Sequence, residues 1–507
     1  MPLAVRALVA LMAGVVSWLI GPALPGAVRA TGRWMSLLFG ATLIAACGGS
    51  DTPPNVPVIV TPTMASVMVD QQIQLAATIV DTAGNVVTGR VVTWTSSNTA
   101  VATVDSLGLV KALALGQVTI TATSEGSSGS AALTTTAGLL YKAITAGGRH
   151  TCGITAGGNT YCWGDNTSGQ LGNSTTTKSA APVLVAGGLA FSTLSAGDSH
   201  TCGLTPNGRA YCWGDNTSGQ LGNGATINST IPVLVEGGLG FYRVSAGGRH
   251  TCGVTQSALY CWGNNSSGQL GNGTTANSAI PVAVIGGRFS GVIAGGRHTC
   301  ATPDRYDVLG GGLRCWGDNS SGQLGNGTTT GTLVPVAIVP GTADWSPASA
   351  GDNHTCGTTG VGPFAGWPWV TGCWGGNSAG QLGDGTTIDR ATPPTTPDLT
   401  NLRGYGAVLG NRFTCVGSSC WGDNTYGQLG NGTTTNSAIP ARIAGGLVFH
   451  IITAGGRHAC GVVLYYPDPQ LPEGPAAVYC WGDNSHGQLG NGWTTSSPLP
   501  VNVAGGE

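Results

Sequence analysis

The chain has 507 residues, of which 86 are Gly and only 8% are charged, and it has room for two or three domains. Each Gly in a helix interior costs about 1 kcal/mol relative to Ala, so this composition excludes a helical protein and suits short strands joined by tight turns. A net charge of −2 with no run of Lys or Arg excludes the electrostatic footprint of a nucleic-acid binder.

The first 47 residues stand apart. Two apolar stretches, roughly Ala7–Ala27 and Met35–Ala46, flank Arg29 and Arg33, and the second runs through LIAAC to Cys47, followed by GGSDTPP. A basic region, a short apolar core and small residues before a Cys resemble a lipoprotein signal peptide, which implies that Cys47 is lipidated after cleavage. Residues 1–47 are therefore expected to be a signal and lipobox segment, and 48–55 a linker. The competing reading is an ordinary membrane helix, for which Ala7–Ala27 is long enough. A start at Val28 would give a signal of normal length. Gly48 after Cys47 lacks the Asp that resembles an inner-membrane retention signal, which favours an outer membrane or the cell surface.

Residues 56–136 contain no Cys and alternate apolar with polar positions through VMVDQQIQLAATIVD, RVVTWTSSNTAVATVDSLGLVKAL and GQVTITATS. Strands spaced regularly between Gly, Asn and Ser turns predict a β-sandwich. The strings VTWTSSNTAVATVDSLGLV and GQVTITATS resemble the bacterial immunoglobulin-like domain, group 2. That resemblance implies a spacer or adhesion module. Trp94, between β-branched neighbours, is expected in its core.

From 137 to 507 the chain repeats itself. Gln170, Gln220, Gln269, Gln323, Gln381, Gln428 and Gln488 fall in register in seven GQLG segments, about fifty residues apart, a period that signals solenoids or propellers. Each unit has an apolar strand, a segment through HTCG or a variant, a strand ending in CWG, a turn-rich GQLGNGTT-like stretch and a PVLV-type strand. Neither end is a polar cap of the kind an open solenoid needs. The expected fold is all-β: a seven-bladed β-propeller plus an N-terminal immunoglobulin-like β-sandwich. The first unit lacks a leading PVLV-type strand while the chain ends in PVNVAGG, which suggests that the two ends meet in one blade. Strings such as AGGRHTCGV (246–254) and WGDNSSGQLGNGTT (316–329), recurring in that order, resemble the regulator of chromosome condensation repeat.

Fourteen of the fifteen cysteines form consecutive pairs: Cys152 and Cys162, Cys202 and Cys212, Cys252 and Cys261, Cys300 and Cys315, Cys356 and Cys373, Cys415 and Cys420, Cys460 and Cys480. Lipidation accounts for the odd one, Cys47. Local pairs at repeating positions suggest disulfides made in an oxidising compartment, a departure from cytosolic members of the repeat family. Zinc is the rival reading. Metal cages want fixed short spacings, whereas the gaps here vary from four to nineteen residues, which only a hairpin tolerates.

Most recurring residues read as architecture. A Trp recurs once per unit (Trp163, Trp213, Trp262, Trp316, Trp374, Trp421, Trp481), as packing between sheets requires and a single pocket does not. Gly169, Gly219 and their equivalents are expected at positive φ, and the Asp and Asn of GDN favour Asx-turns. Asp becomes Asn264 in the third unit and Gly376 in the fifth, which argues against calcium. His150, His200, His250, His298, His354 and His458 precede the first Cys of each pair, but Phe413 replaces them in the sixth unit, so packing outweighs proton transfer or ligation. No Ser, His and acid form a unique set. The expectation is no enzymatic activity, no cofactor and no metal.

Two features remain as candidate sites. Arg149, Arg249, Arg297, Arg412 and Arg457 are five of fifteen cationic side chains in the propeller and would form a broken ring able to attract an anion. The competing reading has each Arg bonded to a neighbouring blade's carbonyls or an Asp. The segments between paired cysteines are long in three units (301–314, 357–372 and 461–479) and carry Tyr306, Phe364, Trp367, Trp369, Tyr465 and Tyr466. Such aromatics anchor protein partners or stack on sugars, unless they fold over the channel as a plug. The expected role is a monomeric, lipid-anchored envelope protein that binds an extracellular protein or glycan, without nucleic acid. The repeat resemblance also implies guanine-nucleotide exchange factors of eukaryotic nuclei and secreted inhibitors of β-lactamase in bacteria. Export separates this chain from a cytosolic GTPase, so the inhibitor is the alternative that fits the compartment.

Overall fold

The computed structural model describes residues 56–68, 72–136, 139–304, 312–339, 345–360, 369–395, 406–463 and 477–504. Residues 1–55, with Cys47 and the expected signal segment and linker, lie outside them. So do Tyr306, Phe364, Trp367, Tyr465 and Tyr466, and Trp369 is described by its backbone alone.

The sandwich is built by strict alternation. In Gly116–Ser124 the side chains of Val118, Ile120 and Ala122 are buried while Gln117 and Thr119 are exposed, the period-two pattern of a strand with one face on a core. This strand pairs antiparallel with Ser127–Thr136 and with Thr93–Ser96, and Met64–Met68 joins the far side of Ser127–Thr136 in parallel. A second layer pairs Gln72–Gln74 with Leu109–Ala112 and Ala102–Val104, and Val58–Thr61 pairs with Ala76–Ile79. Val60, Leu75, Ile79, Val110, Val118, Ile120 and Leu133 form the common core. Trp94 corrects an expectation. It is only half-buried and packs against the edge of that core, because its ring lies over the turn at Gly108, where a Cβ would stand 2.8 Å from it.

Seven further sheets follow in chain order, numbered here as blades 1 to 7. Blade 1 is Tyr141–Ala146, His150–Thr155, Thr160–Gly164 and Ser179–Leu184, paired antiparallel in that order. Blades 2, 3, 4, 6 and 7 repeat the pattern within residues 193–234, 241–283, 289–337, 408–442 and 449–502. Blade 5 (348–375) has three strands, Ala348–Ala350, His354–Gly360 and Trp369–Gly375, and one isolated bridge from Gly375 to Arg390. In that blade Pro394 occupies the place of Val183, the ladder partner of Cys162 in blade 1. Proline has no N–H to donate, so the fourth strand cannot continue.

The chain ends do not share a blade. The last strand, Ser497–Asn502, pairs with Ala477–Gly482 of its own sheet. Each blade is made from consecutive strands, four in six blades and three in blade 5, and the ring closes by contact between blades 7 and 1. The Trp163 indole of blade 1 donates to the Gln488 carbonyl of blade 7 at 2.9 Å, and Gly456 N–H donates to the Gly147 carbonyl at 3.0 Å. On the outermost strands Pro182, Pro232, Pro281, Pro335, Pro440 and Pro500 interrupt the free ladder, which guards these edges against pairing with another chain.

Each cysteine pair lies directly opposite in the second and third strands of one blade and is joined as a disulfide, with Cα atoms 4.0–4.1 Å apart. All seven disulfides staple a blade to itself. None crosses from one blade to the next.

Candidate functional site

Strand register divides the propeller into two faces. In blade 1, His150 pairs with Gly164 at one end of the hairpin and Ile154 with Thr160 at the other. The AGGRH turns and the GDN-to-GQLG loops therefore share one face, and the segments between paired cysteines leave the opposite one. The arginine ring and the long hairpins cannot form a single site.

The repeated residues of the first face meet at the seams between blades. At the seam of blades 1 and 2, the Trp213 indole and the Thr201 hydroxyl both donate to the Gln170 carbonyl, at 2.9 and 3.1 Å. A hydroxyl has one proton, so Thr201 Oγ1 can only accept from His150 Nε2, which lies 2.8 Å away. This fixes the histidine as the neutral tautomer with its proton on Nε2. The same relay joins His200 to Thr251, His250 to Thr299, His298 to Thr355, His354 to Thr414 and, across the closure, His458 to Thr151, all at 2.8–2.9 Å. Each imidazole is wholly buried, and each Nδ1 lacks a hydrogen-bond partner. Burial lowers the pKa to about 3 in His150, His250 and His354, and to about 4 in His200, His298 and His458, because a charged ring loses its hydration there.

The imidazoles explain the glycine before them. A Cβ on Gly147 would stand 2.4 Å from the His150 ring, so only Gly lets the turn pass the ring. The loop residues are equally committed. Asn166, fully buried, accepts from the Leu171 N–H and donates to the carbonyls of Thr175 and Thr177. Gly172, at φ 67°, lies where a Cβ would meet Trp213 at 2.8 Å. All seven tryptophans are fully buried; Trp213 of blade 2 packs among Cys152, Cys162 and Leu171 of blade 1. The Asp of GDN accepts from the backbone two residues on, as Asp165 does from Thr167, the Asx-turn expected of it.

Sequence reasoning missed the threonine and the glutamine carbonyl of this relay. The signal was present: blade 6 lacks the histidine (Phe413), and blade 7 alone lacks the threonine it would bond (Ala459).

The five arginines are all exposed. Arg249 donates to the Thr217 hydroxyl at 2.6 Å and stands 3.7 Å from the Asp215 carboxylate. Arg297 donates to Ser267, Arg412 to Ser378 and Arg457 to the Tyr426 hydroxyl, over whose ring it also stacks at 5.0 Å. Each of these four thus reaches the loop of the preceding blade, through hydroxyls rather than carbonyls, with an Asp added at Arg249. On the same face stand Asp165, Asp215, Asp318, Asp423 and Asp483 in the loops and Asp198 and Asp352 at the axis. The arginines thus share this face with carboxylates.

The axis holds an open pocket of about 70 Å³ lined by the AGG-type turns. Three turns break their glycine pattern, with Asp198, Asp352 and Asn411, and sequence reasoning overlooked them. The Asp198 carboxyl reaches channel water, yet the packed belt around it raises its pKa to about 6, with Asp352 adding to the rise and Arg249 and Arg149 opposing it. Asp352 is raised for the same first reason. Among the described residues no group of three or more His, Cys, Asp or Glu could hold a metal ion.

Comparison with known proteins agrees with this architecture. The bacterial Ig-like domain (group 2) matches residues 56–135, the RCC1-like domain matches 105–460, and the regulator of chromosome condensation (RCC1) repeat matches 476–507. The first two matches overlap, and the strands of the shared segment belong to the sandwich. Human WBSCR16 is similar at 20% identity over 62% of this chain and 84% of its own, with a TM-score of 0.54. Prp20p from Saccharomyces cerevisiae is similar at 17% identity over 72% and 87%, with a TM-score of 0.55. At such identities the likeness is one of fold. With most of its length matched, and its seven sheets closed into a ring by the recurring Trp, Gln and Gly residues, the chain belongs to the RCC1-like domain family.

Proposed function

We propose that this chain is a non-catalytic, lipid-anchored cell-envelope protein that binds an extracellular protein or glycan through the hairpin face of its propeller. The supporting observation is a contrast between the two faces. The repeated His, Trp and Gln carbonyl of the first face are consumed by the seams and the Asn by its own loop, while the hairpins of blades 4, 5 and 7 alone carry long insertions rich in aromatics. Equivalent hairpins leave the same face of the ring, and long loops on a rigid scaffold are common carriers of function. The bacterial immunoglobulin-like domain and the seven disulfides suit an extracellular setting. Cys47 would hold the chain to the membrane, with the sandwich as spacer.

The test is capture from an envelope extract by the full mature chain and by the same chain carrying Trp367→Ala, Trp369→Ala, Tyr465→Ala and Tyr466→Ala. A partner retained by the parent and lost by the variant supports the reading. Equal retention by both would move the site off the hairpin face. Inhibition of an added β-lactamase, checked in parallel, would supply the partner class directly.

A further inference from the structure

Every link across a seam is non-covalent, and six of seven seams contain one buried neutral imidazole. The seam between blades 6 and 7 is built otherwise. There Phe413 and Ala459 share one apolar cluster with Leu429 and Trp481, and the Gln428 carbonyl accepts from the Trp481 indole at 3.0 Å. A proton arriving at any of the six histidines must sit on Nδ1, which has no acceptor, and it puts a charge where no water hydrates it. Such burial is expensive, so the closed seam keeps its ring neutral and the proton is taken up where the seam has parted.

We propose that this ring is an acid-opened closure: on acidification the six histidine seams part, the seam between blades 6 and 7 holds, and the disulfides keep every blade intact.

The charges facing the ring do not remove the effect. Asp165 lies near His150, Asp215 near His200, Asp318 near His298 and Asp483 near His458, each favouring the proton; His458 and His200 beside His150, His200 and His298 beside His250, and His298 beside His354 oppose it. Burial outweighs all of them at every site. The sign follows from linkage. An unfolded imidazole takes its proton near pH 6.5, at about its ordinary value, while the folded ring refuses it until about pH 3–4. Stability is complete above pH 6.5 and is lost as the pH falls toward the folded values. Asp198 and Asp352 act in the opposite sense, but they are two groups against six.

The fold supplies one equivalent reporter per seam. The amides of Ser174, Gly224, Gly273, Gly327, Gly385, Gly432 and Gly492 each donate to the outermost segment of the next blade, at Thr230, Ala279, Leu333, Ala391, Ala438, Pro498 and Ala180 respectively. Hydrogen exchange of the full mature chain, corrected for its intrinsic pH dependence, is measured at these amides from pH 7 down to pH 4. Six should lose protection together while Gly432 keeps it, reversibly on neutralisation. Loss at Gly432 in step with the others overturns the proposal. A second variant, His250→Phe with Thr299→Ala, copies the arrangement of Phe413 and Ala459 at the seam of blades 3 and 4. It should protect the Gly273 amide in acid and make the pH dependence of opening shallower by about tenfold per pH unit, the weight of one proton. An unchanged slope would contradict the role of the ring. If this variant failed to fold, the comparison among the seven amides of the parent chain would still decide.

Discussion

Phe413 of blade 6 and Ala459 of blade 7 occupy the two positions that hold a hydrogen-bonded His and Thr at every other seam. Donor and acceptor are missing together, within one chain. A histidine at 413 facing Ala459 would bury an N–H with no acceptor. The paired apolar replacement avoids this.

That relationship predicts a double-mutant cycle. Phe413→His alone should destabilise by about 1–3 kcal/mol, the cost of an unmet buried donor, read as a fall in the denaturation midpoint at neutral pH. Adding Ala459→Thr to it should recover most of the loss, giving a coupling within the usual range of about 0.5–3 kcal/mol for contacting residues. Additive effects would show that the two positions do not communicate.

The tryptophans support two terms that can be separated. Trp262 is fully buried and donates to the Gln220 carbonyl at 3.0 Å. Trp262→Ala should cost about 3–5 kcal/mol through the cavity it opens. Trp262→Phe keeps most of the packing, loses the bond to Gln220 and should cost distinctly less. Equal losses for the two variants in urea unfolding would mean that the hydrogen bond, not the packing, holds the seam.

Two glycines at positive φ distinguish strain from collision. Gly222 (φ +68°) would place a Cβ 2.7 Å from the Trp262 indole nitrogen, while Gly238 (φ +60°) has nothing within 4 Å. Both Ala variants bear the left-handed penalty of about 1–2 kcal/mol. Gly222→Ala should lose about 1–3 kcal/mol more, the usual cost of overpacking, which thermal unfolding of the two variants would show side by side.

The fold was legible because its periods are strict. Alternation in GQVTITATS marked the sandwich, and seven GQLG registers marked the blades. Trp94 misled because β-branched neighbours signal a strand but not how deeply its side chains lie. The shared-blade closure misled because a PVLV-type strand ends each unit, and only the pairing of Ser497–Asn502 shows to which sheet it belongs. In the candidate site the arginines were visible as a pattern, but the hydroxyls they bond and the carboxylates beside them were not. Asp198 and Asp352 are far from Asp215 and Asp483 in sequence, and only ring closure brings these carboxylates to one face.

Asp198 gives a pH prediction of its own. Its folded pKa is raised to about 6 from an ordinary 3.8, so the ionised carboxylate opposes folding at neutral pH. That penalty is relieved as the pH falls through 6 toward 3.8. Asp198→Asn should therefore raise the melting temperature at pH 8 and leave it unchanged near pH 4. A variant less stable at pH 8 would mean that the carboxylate has a favourable partner in the native state.

The account rests on the repeated histidines being structural, which 15N NMR of the histidine-labelled protein tests most directly. At neutral pH six imidazoles should carry their proton on Nε2, with slow exchange, and should stay neutral well below pH 6 for as long as the ring is closed. Histidines of this set protonated on Nδ1, or titrating freely near pH 6.5, would contradict the relay and reopen the first face as a site of chemistry.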